Sequence, residues 1–201
     1  MKIIDIEIIK APIPKENRIE GYQYVDSWDD LQNMGISVMC YYDYNSNVYG
    51  YYAELDFKHD EGRNLIQEFL SEDDIICGFN IRKFDCPLLE ANGFNINYDK
   101  VYDLLLQIWF ASGLTNQYEP KTHGGYSLNA VVKANFVNIQ KTGNGADAPL
   151  MWQDGKYQEV IDYCMNDVKI TKMLIDRVFA DGGLISPKTK KMIKIAIPGG
   201  V

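Results

Sequence analysis

The sequence predicts an α/β fold in which helices pack on a mixed sheet of about five strands. The first observation is an isoleucine-rich apolar run at the start of the chain, which is typical of a buried strand. The second is a pair of strand-like runs separated by Asn45-Ser46-Asn47, which is typical of a hairpin turn. The third is that the remaining segments alternate between a short apolar run and longer stretches with helical spacing.

The length and composition suit one domain. The chain has 201 residues, and a hydrophobic content of 46% is enough to fill a core of that size. We expect the domain to span residues 1–201, and we allow for a C-terminal extension from about residue 183.

The first part of the sequence predicts one side of the sheet. Residues 2–9 are too short and too rich in β-branched side chains for a helix, so we interpret them as a central strand. Residues 10–30 contain prolines and many polar residues, which predicts a long loop that borders the substrate, since loops of this length are often functional. Residues 36–44 and 48–55 predict an antiparallel hairpin that extends the sheet.

The middle of the sequence predicts a helix, a strand and a second helix. Helical spacing covers residues 61–70, and residues 74–79 form a short buried strand. Asn80 is then the expected N-cap of a helix that continues through Leu89. This helix places Asp85 in its early turns, facing the end of the first strand.

The last part of the sequence predicts three helices separated by polar loops. The helices cover residues 101–111, a segment capped by Ser127, and residues 157–179, and the intervening loops include residues 112–125 and 141–149. The long last helix ends at Gly182 and Gly183, and a basic tail follows that is strand-like over residues 192–197.

The composition excludes several classes of protein. No stretch of about 18 apolar residues occurs and the N-terminus lacks the pattern of a signal peptide, so we expect a soluble cytoplasmic protein with no membrane partner. The four cysteines form no Cys-x-x-Cys pair, and with only two histidines a zinc site is not indicated. A bound metal would therefore need hard oxygen ligands, which suit magnesium or manganese.

Acidic residues recur where such a fold can bring them together. Asp5 and Glu7 lie in the apolar first run, where a charge is costly unless a positive group neutralises it, and in a strand both point to the same side, roughly 7 Å apart. Asp85 follows the second short strand. Tyr163 and Asp167 are four residues apart and share one helix face. Converging carboxylates of this kind can hold the pair of metal ions that cleaves a phosphodiester.

Other polar and aromatic residues have both a structural and a functional interpretation. Asn80 either caps a helix or contacts the substrate, and Phe84 either belongs to the core or stacks on a base. Lys121, His123 and Lys141 lie in predicted loops. Each is interpreted either as a solvated polar group or as a residue that contacts a phosphate of the substrate.

The net charge of −8 argues against a broad electrostatic grip on nucleic acid. Carboxylates committed to two divalent cations would nevertheless be neutralised locally. The short end of a nucleic-acid strand, bound in a cleft, fits this net charge better than a long duplex does.

Three strings resemble the motifs of the DEDD superfamily, the DnaQ-like 3′-to-5′ exonucleases with an RNase H-like fold. They are Asp5-x-Glu7, Asn80-x-x-x-Phe84-Asp85 and Tyr163-x-x-x-Asp167, and the resemblance spans roughly residues 2–178. The tyrosine marks the DEDDy branch, because Asp162 stands where the other branch has its histidine.

This resemblance implies roles for individual residues. Two divalent metal ions, Mg²⁺ or Mn²⁺, would be held by Asp5, Glu7, Asp85 and Asp167, and Tyr163 would orient the hydrolytic water.

Asp103 resembles a further acid that is often found between the second and third motifs. Ile8 stands where many relatives have a small hydroxyl residue, which puts a side-chain contact to the substrate in doubt and leaves the metal site intact.

A narrower likeness is to predicted exonucleases of phages and prophages. The strings Trp28-Asp29-Asp30 and Lys141-Thr142-Gly143-Asn144-Gly145 are similar to theirs, which implies a bacterial cell or a phage-infected host. The likeness also places the Lys141 loop beside the active site, so that Lys141 joins Asn80 as an expected substrate-binding residue.

We therefore predict a 3′-to-5′ exonuclease that acts on a free 3′ end, most simply of single-stranded DNA, and releases nucleoside monophosphates. Replication or repair proteins are its expected partners, and the oligomeric state stays open. The nearest alternative is an exoribonuclease, because a cleft that grips phosphates need not read the sugar. The other alternative is a catalytically silent RNase H-like module that binds nucleic acid or a replication protein.

Overall fold

The computed structural model of the chain describes residues 1–14, 16, 18–71, 74–137 and 145–199. Its main sheet has five strands: β1 Lys2–Ile8, β2 Ile36–Asp43, β3 Val48–Ala53, β4 Ile76–Gly78 and β5 Val101–Asp103. They lie in the order β3-β2-β1-β4-β5, with β2 antiparallel to β1 and β3, and with β1, β4 and β5 parallel. This mixed sheet confirms the predicted fold class.

Helices cover both faces of the sheet. In chain order they are α1 Leu31–Met34, α2 Glu54–Lys58, α3 Asp60–Ser71, α4 Asp85–Ala91, α5 Leu104–Ala111, α6 Pro120–His123, α7 Leu128–Asn135, α8 Ala148–Gln153 and α9 Tyr157–Asp181. A separate two-stranded sheet pairs β6 Gly183–Ile185 antiparallel with β7 Met192–Lys194. The helical spacing of the sequence correctly predicted α3, α7 and α9.

Strand β1 is central, as its composition predicts, and its two faces belong to different halves of the core. Ile4, Ile6 and Ile8 pack in the hydrophobic cluster that contains residues of α3 and α4. Ile3 packs in the cluster formed with α9, α5 and α7. Because side chains alternate along a strand, Asp5 and Glu7 share the face of Ile3 and point toward α9.

Residues 101–103 were predicted to be helical, and this was wrong. They form β5, in which Val101 and Tyr102 are buried and pair with Ile76 and Cys77 of β4. Partner strands outweigh local helical spacing in so short a segment. The helix begins only at Leu104, and the side chain of Asp103 caps its N-terminus.

The interpretation of Asn80 as a helix N-cap was also wrong. Helix α4 begins five residues later, at Asp85, and Phe84 occupies the capping position. Asn80 lies in the turn after β4 with a φ of 67°, a left-handed conformation that asparagine adopts more readily than most residues. The turn sets Asp85 at the first position of α4.

The C-terminal segment returns to the body of the protein. Helix α9 ends at Gly182, which has a φ of 70° as a left-handed C-cap. Leu184 and Ile195 are buried in the same cluster as α9, and the Tyr102 hydroxyl donates to the Ala196 carbonyl oxygen at 2.6 Å. All four cysteines are buried and none is in a disulfide. Within the described residues, no helix is long and apolar enough to cross a membrane.

Candidate active site

A cleft of about 870 Å³ opens beside the carboxyl end of β1. Its walls come from β1, the turn between β4 and α4, the 10–30 loop, the segment before α7, and α9. Of the predicted site residues, it is lined by Asp5, Glu7, Asn80, Asp85, Tyr163 and Asp167. Lys141 lies outside the described residues.

Three of the acids meet in one group. Asp5, Glu7 and Asp167 each present a carboxylate oxygen, and these oxygens all lie within 4.8 Å of one another. Glu7 is 9% exposed and Asp167 is 3% exposed, so the group is largely shielded from water. Like charges held this closely are costly unless a cation neutralises them. An all-carboxylate donor set fits a hard divalent cation such as Mg²⁺ or Mn²⁺.

Asp85 lies next to this group and contacts the backbone of β1. Its Oδ1 accepts a hydrogen bond from the Ile6 amide at 3.0 Å, so the carboxylate sits beside the strand that carries Asp5 and Glu7. Burial, with a smaller contribution from the charge of Asp103, raises the pKa of Asp85 to about 7, although backbone hydrogen bonds oppose the shift. A positive charge nearby would favour the ionised form.

Asp103 has a structural role that the sequence did not reveal. Its Oδ1 accepts backbone N–H groups from Asn80, Leu105 and Leu106, and its Oδ2 accepts the Arg82 amide at 3.1 Å. Burial raises the pKa of this carboxyl group, and the four backbone hydrogen bonds act in the opposite direction. Asp103 therefore joins the start of α5 to the turn that presents Asp85.

Helix α9 supplies the tyrosine and the third acid on one face, as their spacing predicts. Tyr163 is buried and lines the cleft. Two thiol hydrogen bonds join α9 to the sheet. The Cys164 thiol of α9 donates to the Asp5 carbonyl oxygen of β1 at 3.2 Å, and the Cys40 thiol of β2 donates to the Ile161 carbonyl oxygen of α9 at 3.6 Å. These contacts fix the position of α9 relative to β1 and β2.

Aromatic side chains also line the cleft. The rings of Trp28 and Phe84 make an edge-to-face contact with centroids 6.0 Å apart. The Lys83 amine lies 5.2 Å from the centre of the Tyr118 ring. Among the described residues, Lys83 is the one lysine or arginine that lines the cleft. Two residues of the 10–30 loop, Trp28 and Asp29, line the cleft.

The loop residues considered for phosphate contact have different environments. His123 is buried, its Nδ1 accepts the Glu119 amide at 3.1 Å, and its Nε2 lies 3.0 Å from the Thr115 carbonyl oxygen. These bonds give His123 a structural role, with the Nε2 proton directed at the carbonyl. Lys121 is exposed and is not among the residues that line the cleft.

A family model of the RNase H superfamily matches residues 26–179, which is more than half of the chain. The chain belongs to the RNase H superfamily. Members of this superfamily are generally nucleases, and they typically use divalent metals. The matched region of this RNase H superfamily member includes Asp85, Tyr163 and Asp167 but begins after β1. The placement of Asp5 and Glu7 in the cleft therefore rests on the structure. No curated protein matches the chain.

Proposed function

We propose that this chain is a metal-dependent 3′-to-5′ exonuclease of the DEDDy branch. It would hydrolyse phosphodiester bonds at the 3′ end of single-stranded DNA and release nucleoside monophosphates. The observation that carries the proposal is the meeting of Asp5, Glu7 and Asp167 within 4.8 Å in a cleft that Tyr163 also lines. The likeness of the motifs to phage and prophage exonucleases supports the same assignment.

The acids of the cleft suit the binding of two divalent cations. When bound, such ions supply an activated water and stabilise the leaving oxygen. Asp5, Glu7 and Asp167 would hold the cations with carboxylate oxygens. Asp85 accepts a hydrogen bond from the amide of Ile6, which lies between Asp5 and Glu7 in β1, and it would complete the ligand set.

Tyr163 has the chemistry to orient the attacking water. Its phenol can both donate and accept a hydrogen bond, and it is one helical turn before Asp167. A water held between this hydroxyl group and the acids would be directed toward the phosphorus. The neighbouring acid on the helix, Asp162, is exposed and hydrogen-bonded to Gln158, so it has no part in this step.

The charge of the cleft favours binding of the short end of a nucleic-acid strand over binding of a long duplex. Five carboxylates line it, from Asp5, Glu7, Asp29, Asp85 and Asp167, whereas Lys83 is the one lysine or arginine among its described lining residues. A long duplex would need many basic contacts to its phosphates. A single end can instead be bound through the metal ions and a few contacts.

The test is digestion of 5′-labelled single- and double-stranded DNA and RNA with magnesium, manganese or chelator. We expect a ladder that shortens from the 3′ end of single-stranded DNA and needs the metal. Asp5→Ala and Asp167→Asn should abolish it in folded protein. The matched control, Asp162→Asn on the same helix, should digest at the wild-type rate. Metal-dependent digestion at full rate by a clean Asp5→Ala preparation would contradict the proposal, and faster digestion of RNA would reassign the substrate.

A further inference from the structure

We propose that Trp28 selects single-stranded substrate by stacking on one unpaired nucleobase at the mouth of the cleft. The inference rests on the proposed function, since it concerns the nucleic acid that the acids would cleave. It assigns a binding role to a residue outside the metal-site motifs.

The exposure of Trp28 is the first observation. The residue is 64% exposed, although tryptophan is highly buried on average in folded proteins. The exposed indole lies at the cleft that holds the acids. Exposed apolar surface beside a polar site is typical of a binding surface.

The loop that carries Trp28 is anchored at several points. Val25 and the start of the loop are joined by backbone hydrogen bonds from Ile13 N to Val25 O at 2.8 Å and from Val25 N to Ala11 O at 3.0 Å. The Gln153 side chain of α8 accepts the Gln23 amide at 2.7 Å and donates to the Ile9 carbonyl oxygen at 2.9 Å. These bonds fix the backbone of the loop shortly before Trp28, so little ordering of the loop would be needed when a base binds.

The neighbours of Trp28 fit a nucleotide. Phe84 holds the indole edge-on, with ring planes at 73°, and Phe84 directly precedes Asp85. A base on the indole would therefore lie on the same wall as the acids that bind the metal. Lys83, the residue before Phe84, places a positive charge on this wall where the strand's phosphates would pass.

Stacking on one exposed indole distinguishes single strands from duplexes. Bases inside a duplex have both faces covered by their neighbours, whereas an unpaired base can offer a face to an aromatic side chain. Every base has such a face, so the contact would tolerate any sequence. Trp28 would thus favour an unpaired or frayed end of any composition.

Binding can be measured separately from cleavage in an Asp167→Asn background. The probe is a 5′-fluorescein-labelled oligothymidylate, and the readout is fluorescence anisotropy. Trp28→Ala should weaken binding roughly 5- to 150-fold, the effect of losing one stacked base. Trp28→Phe should retain most of the affinity. The matched control Phe110→Ala, at a half-exposed aromatic of α5 that does not line the cleft, should bind as the background does.

A second series shows whether the contact is to a base. Abasic sites placed one at a time along the oligonucleotide should include one position at which Trp28→Ala has no further effect. Covalently closed circular duplex, in which every base has both faces covered, should bind equally with and without Trp28. Equal oligonucleotide affinity of the two proteins, or no measurable binding with Trp28 present, would overturn the inference. Failure of the proposed function is a different result: wild-type protein would digest no nucleic acid, whatever Trp28 contributes to binding.

Discussion

At the residue scale, the arrangement of the cleft depends on a carboxylate that does not line it. Asp103 accepts four backbone N–H groups, two from the turn that leads to Asp85 and two from the start of α5. Hydrogen bonds to an ionised acceptor are stronger than those between neutral groups. The left-handed conformation of Asn80 is thus stabilised by a side chain 23 residues away.

Asp103→Asn should lower both stability and activity. The amide keeps one acceptor oxygen and replaces the other with an NH₂ group that faces a backbone donor. We expect a loss of about 1–3 kcal/mol in the free energy of unfolding, measured with urea, and a lower kcat because Asp85 is less well placed. Asp99→Asn, at an exposed position of the preceding turn, is the control and should change neither. Wild-type stability in Asp103→Asn would mean that the four bonds contribute little.

Gly145→Ala should impair Tyr163 through a direct contact. A Cβ atom at position 145 would lie 3.2 Å from the Tyr163 hydroxyl oxygen, which is closer than most such contacts. Because the hydroxyl must shift, we expect kcat to fall about tenfold, with a smaller effect on KM. The measurement is steady-state hydrolysis of a labelled oligonucleotide.

The matched comparison for Gly145→Ala is the same change in a Tyr163→Phe background. Without the hydroxyl group, the added methyl group has nothing to displace, so the double variant should be no slower than Tyr163→Phe alone. Additive losses in the double variant would show that Gly145 acts through something other than the tyrosine.

At the element scale, the periodicities of β1 and α9 account for how much of the site could be predicted. Alternation along β1 places Asp5 and Glu7 on one face, and four-residue spacing on α9 places Tyr163 and Asp167 together, so both pairs follow from sequence. Asp85 was also expected to face the end of β1, but the turn that places it there was misassigned as the start of a helix. The backbone of this turn is held by Asp103, a tertiary contact that no local pattern shows. Residues 101–103 were misassigned for a similar reason, because pairing with β4 decides their conformation.

The contact between α2 and α8 should make stability depend on pH. Burial raises the pKa of Glu54, but hydrogen bonds from Lys58 and from the Trp152 indole N–H, at 2.7 Å, outweigh it and leave the pKa below its usual value. The ionised form therefore stabilises the fold above the ordinary glutamate pKa, and this contribution is lost as pH falls through the lowered value.

Urea unfolding of wild-type protein and Glu54→Gln measures this contribution. The wild type should be the more stable at pH 7, and the difference should shrink as pH falls through the lowered pKa of Glu54. Glu61→Gln, at an exposed position of α3, serves as the control and should show a smaller difference. If the difference in free energy of unfolding between wild type and Glu54→Gln does not change with pH, Glu54 is not the source of the pH dependence.

At the scale of the whole molecule, the cleft lies where the order of the sheet reverses. The chain moves from β1 to β2 and β3 on one side, then returns to place β4 and β5 on the other. In open α/β sheets, ligands bind at such a switch point, outside the carboxyl ends of the strands. Asp5 and Glu7 come from β1, and Asp85 follows β4, so the topology brings acids from two adjacent parallel strands to one place.

Metal binding should therefore stabilise the whole fold, because the proposed ligands come from β1, α4 and α9. Adding Mg²⁺ or Mn²⁺ at about a hundred times its dissociation constant should add about 2.7 kcal/mol, which raises Tm by roughly 5–11 °C for a chain of this length. Differential scanning calorimetry with metal or chelator measures this shift. Asp167→Asn should show a much smaller shift, whereas Asp162→Asn on the same helix should match the wild type. An equal metal-dependent shift in Asp167→Asn would place the ions elsewhere in the protein.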